Sequence, residues 1–361
     1  MALDIEPGIA AEGNPALIKI IIKEMDGGTI PFERFMELAL YHPEHGYYRK
    51  SGRIGRQGDF LTSPTIHPMF GWAIASWCEW IWQQLDEPDT FTIFEPGAGE
   101  GTLGTVILDW AEARESNFSQ SLRYVALEPN TEGTDSRIQW LQGIPSPVLN
   151  GIVLANELFD ALPTRLFEAT ERGPAEIHVR WDGNNFVEVR GNITVLKNTP
   201  TKGRFEINGK AWPLLETMCG LIKQGGILLA DYGYEEEKLW APWRLQGTLS
   251  CFYRHTAHEN PYRHVGEQDI TSHVNLTELA TGLQNFGYEQ LGPIPQHEFL
   301  TKLGIGDLVE SARADLGNYF ERRQAFQALT DAGGLGKIQI LAGLRGIKGT
   351  VPGFEGDKSY E

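Results

Sequence analysis

FTIFEPGAGEGTL, residues 91–103, decides the fold. A short apolar, β-rich run (Phe91, Ile93, Phe94) reaches an acid, Glu95, and then a glycine cluster, after which Thr102 and Leu103 open a helical pattern. Strand, tight turn and helix in that order form the opening βα unit of a doubly wound sheet. Gly97, Gly99 and Gly101 let the backbone turn sharply and lie against a ligand, because no Cβ stands between. The helix that follows presents free N–H groups and its positive dipole end to the same place.

The spacing of the glycines selects the ligand. A dinucleotide fingerprint is Gly-x-Gly-x-x-Gly, with its third glycine for close helix packing. Here the sixth position is Thr102, and Glu95 stands two residues before the first glycine. A carboxylate there repels a pyrophosphate but suits a cofactor that carries an ammonium and a sulfonium, as S-adenosylmethionine (SAM) does. Downstream, Tyr124-Val125-Ala126-Leu127-Glu128 reads as a second short strand that ends in an acid, placed beside the first turn to accept both ribose hydroxyls. Glycines with two strand-end acids favour SAM over a nicotinamide cofactor and over a turn that binds nothing.

The 361 residues suffice for one large domain with insertions or for two. A hydrophobic content of 41% and a charged content of 22% are those of a soluble globular protein. The formal net charge of −17 argues against a nucleic-acid partner, which needs a basic footprint, and suits a cationic substrate. Cys78, Cys219 and Cys251 are widely spaced and read as reduced thiols, so the expected compartment is the cytoplasm. No apolar run approaches the ~20 residues of a membrane span, and MALDIEPGIAAEG at the start lacks the pattern of a signal or transit peptide.

Along the chain, Pro15–Met25 and the segment after Pro31 have helical spacing, Gly27-Gly28 stopping the first. Residues 51–64, SGRIGRQGDFLTSP, form a long polar loop in which Asp59, Thr62 and Ser63 are candidate ligand contacts. A helix is expected over Thr65–Leu85, its tryptophan stripe serving the core. Gly151–Ala155 is a compact strand that delivers the loop Asn156-Glu157-Leu158-Phe159-Asp160 to the ligand crevice. A hairpin is expected around Asp182-Gly183-Asn184. A helix over Trp212–Lys223 is read as stopped by Gly225-Gly226, and a strand then ends in Asp231-Tyr232-Gly233. A helix follows from Asn275, a long helical stretch runs over Asp307–Leu329, and Ile338–Leu341 is the terminal strand.

These segments resemble the MidA family of SAM-dependent methyltransferases, relatives of the mitochondrial complex I assembly arginine methyltransferase. The resemblance runs from about Ile30 to Gly343. It rests on RFMELALYHPEHGYY (34–48), GDFLTSP (58–64), FEPGAGEGTLG (94–104), LANELFDALP (154–163), DYG (231–233), GTLSCFYRH (247–255) and GEQDITSHVN (266–275), in the family's order. It departs at Glu100, where the family commonly has a basic residue, and at Leu158, where phenylalanine is common. The resemblance implies an α/β class I methyltransferase, a Rossmann-like doubly wound sheet with an N-terminal helical cap and inserted β elements. Residues 1–90 would form the cap, and 91–345 the methyltransferase domain with insertions at about 171–210 and 234–300. Residues 346–361 read as a loose tail. SAM is expected on Glu95, Gly97, Ala98, Gly99, Gly101, Thr102, Glu128 and Asn156, with Asp59, Thr62 and Ser63 closing over it.

The resemblance implies a protein arginine as methyl acceptor. A guanidinium spreads its charge over three nitrogens, and a site that makes one of them attack needs carboxylates to hold the others. Glu157 and Asp160 are the candidate clamp, Asp231 an alternative, and His255 a residue of the substrate mouth. His255, His258, His264 and His273 lie close in sequence but lack metal-ligand spacing, so no metal is expected. Two other readings stand beside the enzyme: a SAM-binding assembly factor or chaperone without methyl transfer, and a nicotinamide oxidoreductase. The sequence does not fix the oligomeric state.

Overall fold

The computed structural model describes residues 11–49, 58–128 and 133–355. Its centre is a seven-stranded sheet of β1 (Phe91–Pro96), β2 (Leu122–Leu127), β3 (Ile138–Leu141), β4 (Val148–Asn156), β5 (Ile222–Asp231), β6 (Glu289–Pro295) and β7 (Gln339–Arg345). The spatial order is β3-β2-β1-β4-β5-β7-β6. The first five strands run parallel, and β7 lies antiparallel between β5 and β6. All six residues of β1 are buried, as a central parallel strand covered on both faces requires. Strand order reverses between β1 and β4, which opens a crevice beyond their carboxyl ends. The class I methyltransferase architecture is therefore present.

Helices Met69–Gln84 and Thr102–Ala113 pack on one face of the sheet, and Ala211–Gly220 and Leu276–Asn285 on the other. Trp77 and Trp82 are buried in the first of these layers, so the tryptophan stripe is core. A second, antiparallel sheet joins Thr29–Pro31 to Gly173–Trp181, which also pairs with Arg165–Thr170 and Phe186–Ile193; Arg204–Ile207 borders Arg165–Thr170. The helices Pro15–Met25 and Phe32–Tyr41 share a hydrophobic core with this sheet. The Asn14 side chain caps the first of them by accepting from the N–H groups of Ala16 and Leu17. Among the described residues no helix is long and apolar enough to cross a membrane.

Several expected boundaries move. The helix expected over Thr65–Leu85 breaks: Ser63–Ile66 is a separate turn, and His67 is extended (φ −165°, ψ 149°) because a residue before proline is pushed out of the helical region. The Gly225-Gly226 pair does not stop a helix. The helix ends at Gly220, and both glycines lie inside β5, where a Cβ on Gly225 would stand 1.8 Å from the Gly151 carbonyl oxygen. Only glycine lets β5 approach β4 there, and its φ of +128° confirms the need. The stretch over Asp307–Leu329 is two helices, Ile305–Glu310 and Leu316–Thr330, the second capped by the Asp315 side chain.

The domain limits shift as well. Met69–Gln84 belongs to the central fold and not to the cap, and the inserted sheet begins at Arg165 rather than near 171. The second insertion closes before Leu276, because the helix from that residue and β6 are parts of the central fold. Residues 346–355 are no loose tail: Ile347, Val351 and Phe354 are buried, the last with its ring 5.2 Å from that of Phe299. Residues 356–361 lie outside the described residues, as do 50–57 of the polar loop.

Candidate active site

A cavity of about 620 Å³ opens at the crevice. Its floor is the glycine turn after β1, Leu127 and Glu128 at the end of β2, Gln142–Ile144 after β3, and Asn156–Leu158 at the end of β4. Its roof comes from the N-terminal segment, through Glu37, Tyr41, Tyr48, Phe60, Thr62 and Thr65. Lys210, Leu214, Met218 and Leu221 close the remaining side.

The three glycines do different work. Gly97 (φ +71°) leaves room for Leu158, which a Cβ would meet at 2.7 Å. Gly99 (φ +56°) lines the cavity, a Cβ there meets nothing within 4 Å, and its N–H donates to Glu128 Oε2 at 3.2 Å. Gly101 (φ +79°) starts the helix and does not line the cavity; a Cβ there would strike the Trp140 ring at 2.9 Å, so its task is packing. Ala98 and Thr102 line the cavity beside Gly99.

Glu95 is 5% exposed and accepts from the Tyr124 hydroxyl at 2.7 Å. Burial pushes its carboxyl up to about 7, the Tyr124 bond works against this, and the charge of Glu128 adds to it. Glu95 and Glu128 therefore converge on one hollow with the open face of Gly99 between them. That donor set fits a cationic cofactor with a ribose, and SAM is the one it suits.

Beside the glycine turn, with Leu158 against Gly97, lies the loop Asn156–Asp160. Glu157 has φ +50°, a conformation uncommon for a residue with a side chain. Its carboxyl accepts from the Ser63 N–H at 3.4 Å and from Asn156 Nδ2 at 3.2 Å, and burial with Asp231 nearby pushes it up to about 8. Asp160 is buried, and burial together with the nearby Asp231 and Glu157 holds its carboxyl well above the usual range. Asp231 Oδ2 accepts from the N–H groups of Leu158 (3.1 Å) and Phe159 (2.7 Å), and its Oδ1 from that of Tyr232 (2.8 Å).

The structure thus sorts the expected site residues. Glu95, Gly97, Ala98, Gly99, Thr102, Glu128, Asn156, Glu157 and Thr62 line one cavity. Five others do not. The Ser63 hydroxyl is turned to Gln296 Oε1 at 2.9 Å, and only its N–H reaches Glu157. Asp59 is buried under the cap, where it accepts from the Tyr47 hydroxyl and the Arg254 N–H. Asp160 and Asp231 lie behind the loop rather than in the cavity. His255 is exposed in the turn after Ser250–Tyr253, its N–H donates to the Asp59 carbonyl oxygen at 3.0 Å, and it does not line the cavity. The histidines separate in part: His264 stacks on Tyr253 at 3.9 Å with His258 6.2 Å from it, while His273 lies 5.1 Å from Tyr234. Among the described residues no group of three or more His, Cys, Asp or Glu is placed to hold a metal.

Sequence reasoning expected the cap and Thr62 but missed the aromatic residues of the roof. Tyr41 donates to the Ala161 carbonyl oxygen (3.0 Å) and Tyr48 to Asp269 Oδ1 (2.7 Å), so both hydroxyls are engaged away from a ligand and ring carbon faces the cavity. The density of aromatic residues in YHPEHGYY was the available signal. Lys210 and Glu37, 2.8 Å apart at the rim, come from segments 173 residues apart and left none.

Residues 73–294 match the model of a family described as "Putative S-adenosyl-L-methionine-dependent methyltransferase". The zebrafish (Danio rerio) mitochondrial protein arginine methyltransferase NDUFAF7 is 27% identical over 338 residues, covering 81% of this chain and 77% of its own. The Drosophila melanogaster homologue is 25% identical over 389 residues, covering 94% and 87%. A crystal structure of a Burkholderia thailandensis protein bound to S-adenosyl-homocysteine superposes with a TM-score of 0.85 at 28% identity, over 94% of this chain and 95% of that one. With the glycine turn and its two acids in place, the chain belongs to this family of SAM-dependent methyltransferases, the MidA family.

Proposed function

We propose that the protein transfers methyl groups from SAM to an arginine side chain of a protein substrate. One observation carries this reading: acids outnumber bases five to one among the described residues that line the cavity. Among the described residues that line it, Glu37, Glu95, Glu100, Glu128 and Glu157 are acids, while Lys210 is the one base and is paired with Glu37. Glu95 and Glu128 match the cofactor and Glu100 is exposed, which leaves Glu157, under a roof of Tyr41, Tyr48 and Phe60, for a second cation. A guanidinium suits carboxylate and aromatic surfaces together, because it is planar and weakly hydrated. The similarity to proteins named arginine methyltransferases supports the same substrate class.

Bound SAM supplies a methyl group activated by its sulfonium. The chain supplies position and charge. Thr62 and the roof tyrosines close the cavity above the turn, and Glu157, once ionised beside a bound cation, holds the guanidinium and takes the proton it sheds. The buried free thiols Cys78, Cys219 and Cys251 favour a reducing compartment, and we place the protein in the cytoplasm, to be checked by cell fractionation.

The test is incubation with methyl-tritiated SAM and host lysate, followed by amino-acid analysis of the labelled protein. Label in methylarginine is expected. Label in lysine would refute the substrate class, and SAM binding with no label at all would favour the non-catalytic factor.

A further inference from the structure

We infer that Asp231 is a positioning residue for methyl transfer: its buried carboxylate gathers the backbone N–H groups of residues 158 and 159 and so turns the Glu157 side chain into the cavity. This rests on the methyl-transfer reading above and assigns the DYG segment a task in it.

The end of β5 acts as a mould for the loop after β4. The Glu157 N–H donates to the Ala230 carbonyl oxygen at 2.8 Å, and the next two N–H groups, of Leu158 and Phe159, both reach Asp231 Oδ2. The other oxygen is held by the Tyr232 N–H at 2.8 Å. Successive N–H groups pointing into one hollow form the kind of nest that binds anions, and here the chain fills it with its own carboxylate. Only an acceptor-rich group serves. An asparagine in its place brings an amide nitrogen against N–H donors.

The consequence falls on Glu157. Its positive φ costs free energy, and such a conformation persists only where surrounding structure over-determines it. The N–H groups of residues 157–159, fixed on β5, supply that determination, and the side chain is left directed at Asn156 Nδ2 on the cavity wall and at the Ser63 N–H. Asp231 also acts through space, because its charge helps to raise the Glu157 carboxyl. The other titratable groups facing Glu157 are Asp160, Asp269 and Tyr232, all of them buried or half-buried. Asp231 itself is 2% exposed and does not line the cavity, so it reaches the substrate only through Glu157.

The experiment compares Asp231→Asn, Glu157→Gln and the double variant. S-adenosyl-homocysteine affinity is read by calorimetry, and initial rates with tritiated SAM and a fixed lysate protein fraction give kcat and KM for SAM across pH. Asp231→Asn is expected to bind S-adenosyl-homocysteine within about twofold of wild type and to lose about 100-fold in kcat, the usual effect of a misplaced reacting group. Its acid limb moves to lower pH, since the charge that raises Glu157 is gone, and the double variant is no slower than Glu157→Gln alone. Multiplying losses in the double variant, or an acid limb that stays in place, would overturn the inference. Should Asp231→Asn fail to fold, the wild type still decides: the amide NMR signals of Leu158, Phe159 and Tyr232 must titrate together, and independent or absent titration refutes the shared carboxylate. Wild type that transfers no label to protein sinks the enzymatic reading instead, and the amide titration keeps the two failures apart.

Discussion

Affinity for SAM should rise with pH because Glu95 must ionise to receive a cation. Its carboxyl, at about 7 in the ligand-free protein, is about one-tenth ionised at pH 6 and about nine-tenths at pH 8. Apparent affinity scales with the competent fraction, so the gain over that interval is about tenfold, or ~1.4 kcal/mol. Glu157 titrates in the same region, at about 8, and the measurement is therefore made in the Glu157→Gln protein. A Glu95→Gln, Glu157→Gln double variant serves as reference and removes the ionisation of the ligand itself from the comparison. Calorimetry in two buffers of different ionisation enthalpy also counts protons, and about one should leave per SAM bound at pH 6. The same shift has a folding counterpart. The folded state holds this proton while the unfolded chain has lost it, so ligand-free protein loses stability as pH rises from about 4.5 to about 7, by about 3 kcal/mol from Glu95. Affinity relative to the double variant that stays constant from pH 6 to 8, with no proton released, would refute the assignment of Glu95 to the cofactor.

Other outcomes follow from the same geometry. Glu157→Gln should keep SAM affinity near pH 8 but lose methyl transfer; unchanged transfer of tritium to lysate protein removes Glu157 from the mechanism. Tyr124→Phe deletes the bond that holds Glu95 down, so SAM affinity at pH 7 should fall and its rise should move to higher pH, as calorimetry would show. Gly99→Val places a branched side chain at φ +56° facing the cavity and should weaken SAM about tenfold or more, each ~1.4 kcal/mol of lost contact being a factor of ten. Gly101→Ala instead meets Trp140, so it should cost about 1–3 kcal/mol in denaturant unfolding, at a site that does not touch the ligand.

Local order wrote the strand, turn and helix of residues 91–103 and the acids that end β1 and β2, because hydrophobic periodicity and glycine chemistry act over a few residues. Those same features brought the cofactor end of the cavity into view from the amino-acid sequence alone, and the motif order carried the family. Tertiary structure decided which oxygen of a polar side chain meets a ligand and which is spent inside the protein. Ser63, Asp59, Asp231 and His255 all have the right chemistry at the right ends of segments, yet each is engaged by or exposed to partners far along the chain. Gly225 reads as a helix stop because its reason, the Gly151 carbonyl oxygen of the neighbouring strand, lies 74 positions away in sequence and 1.8 Å from its would-be Cβ. A code of nearest neighbours specifies strands and turns; the facing of side chains is set by packing between segments that the linear order keeps apart.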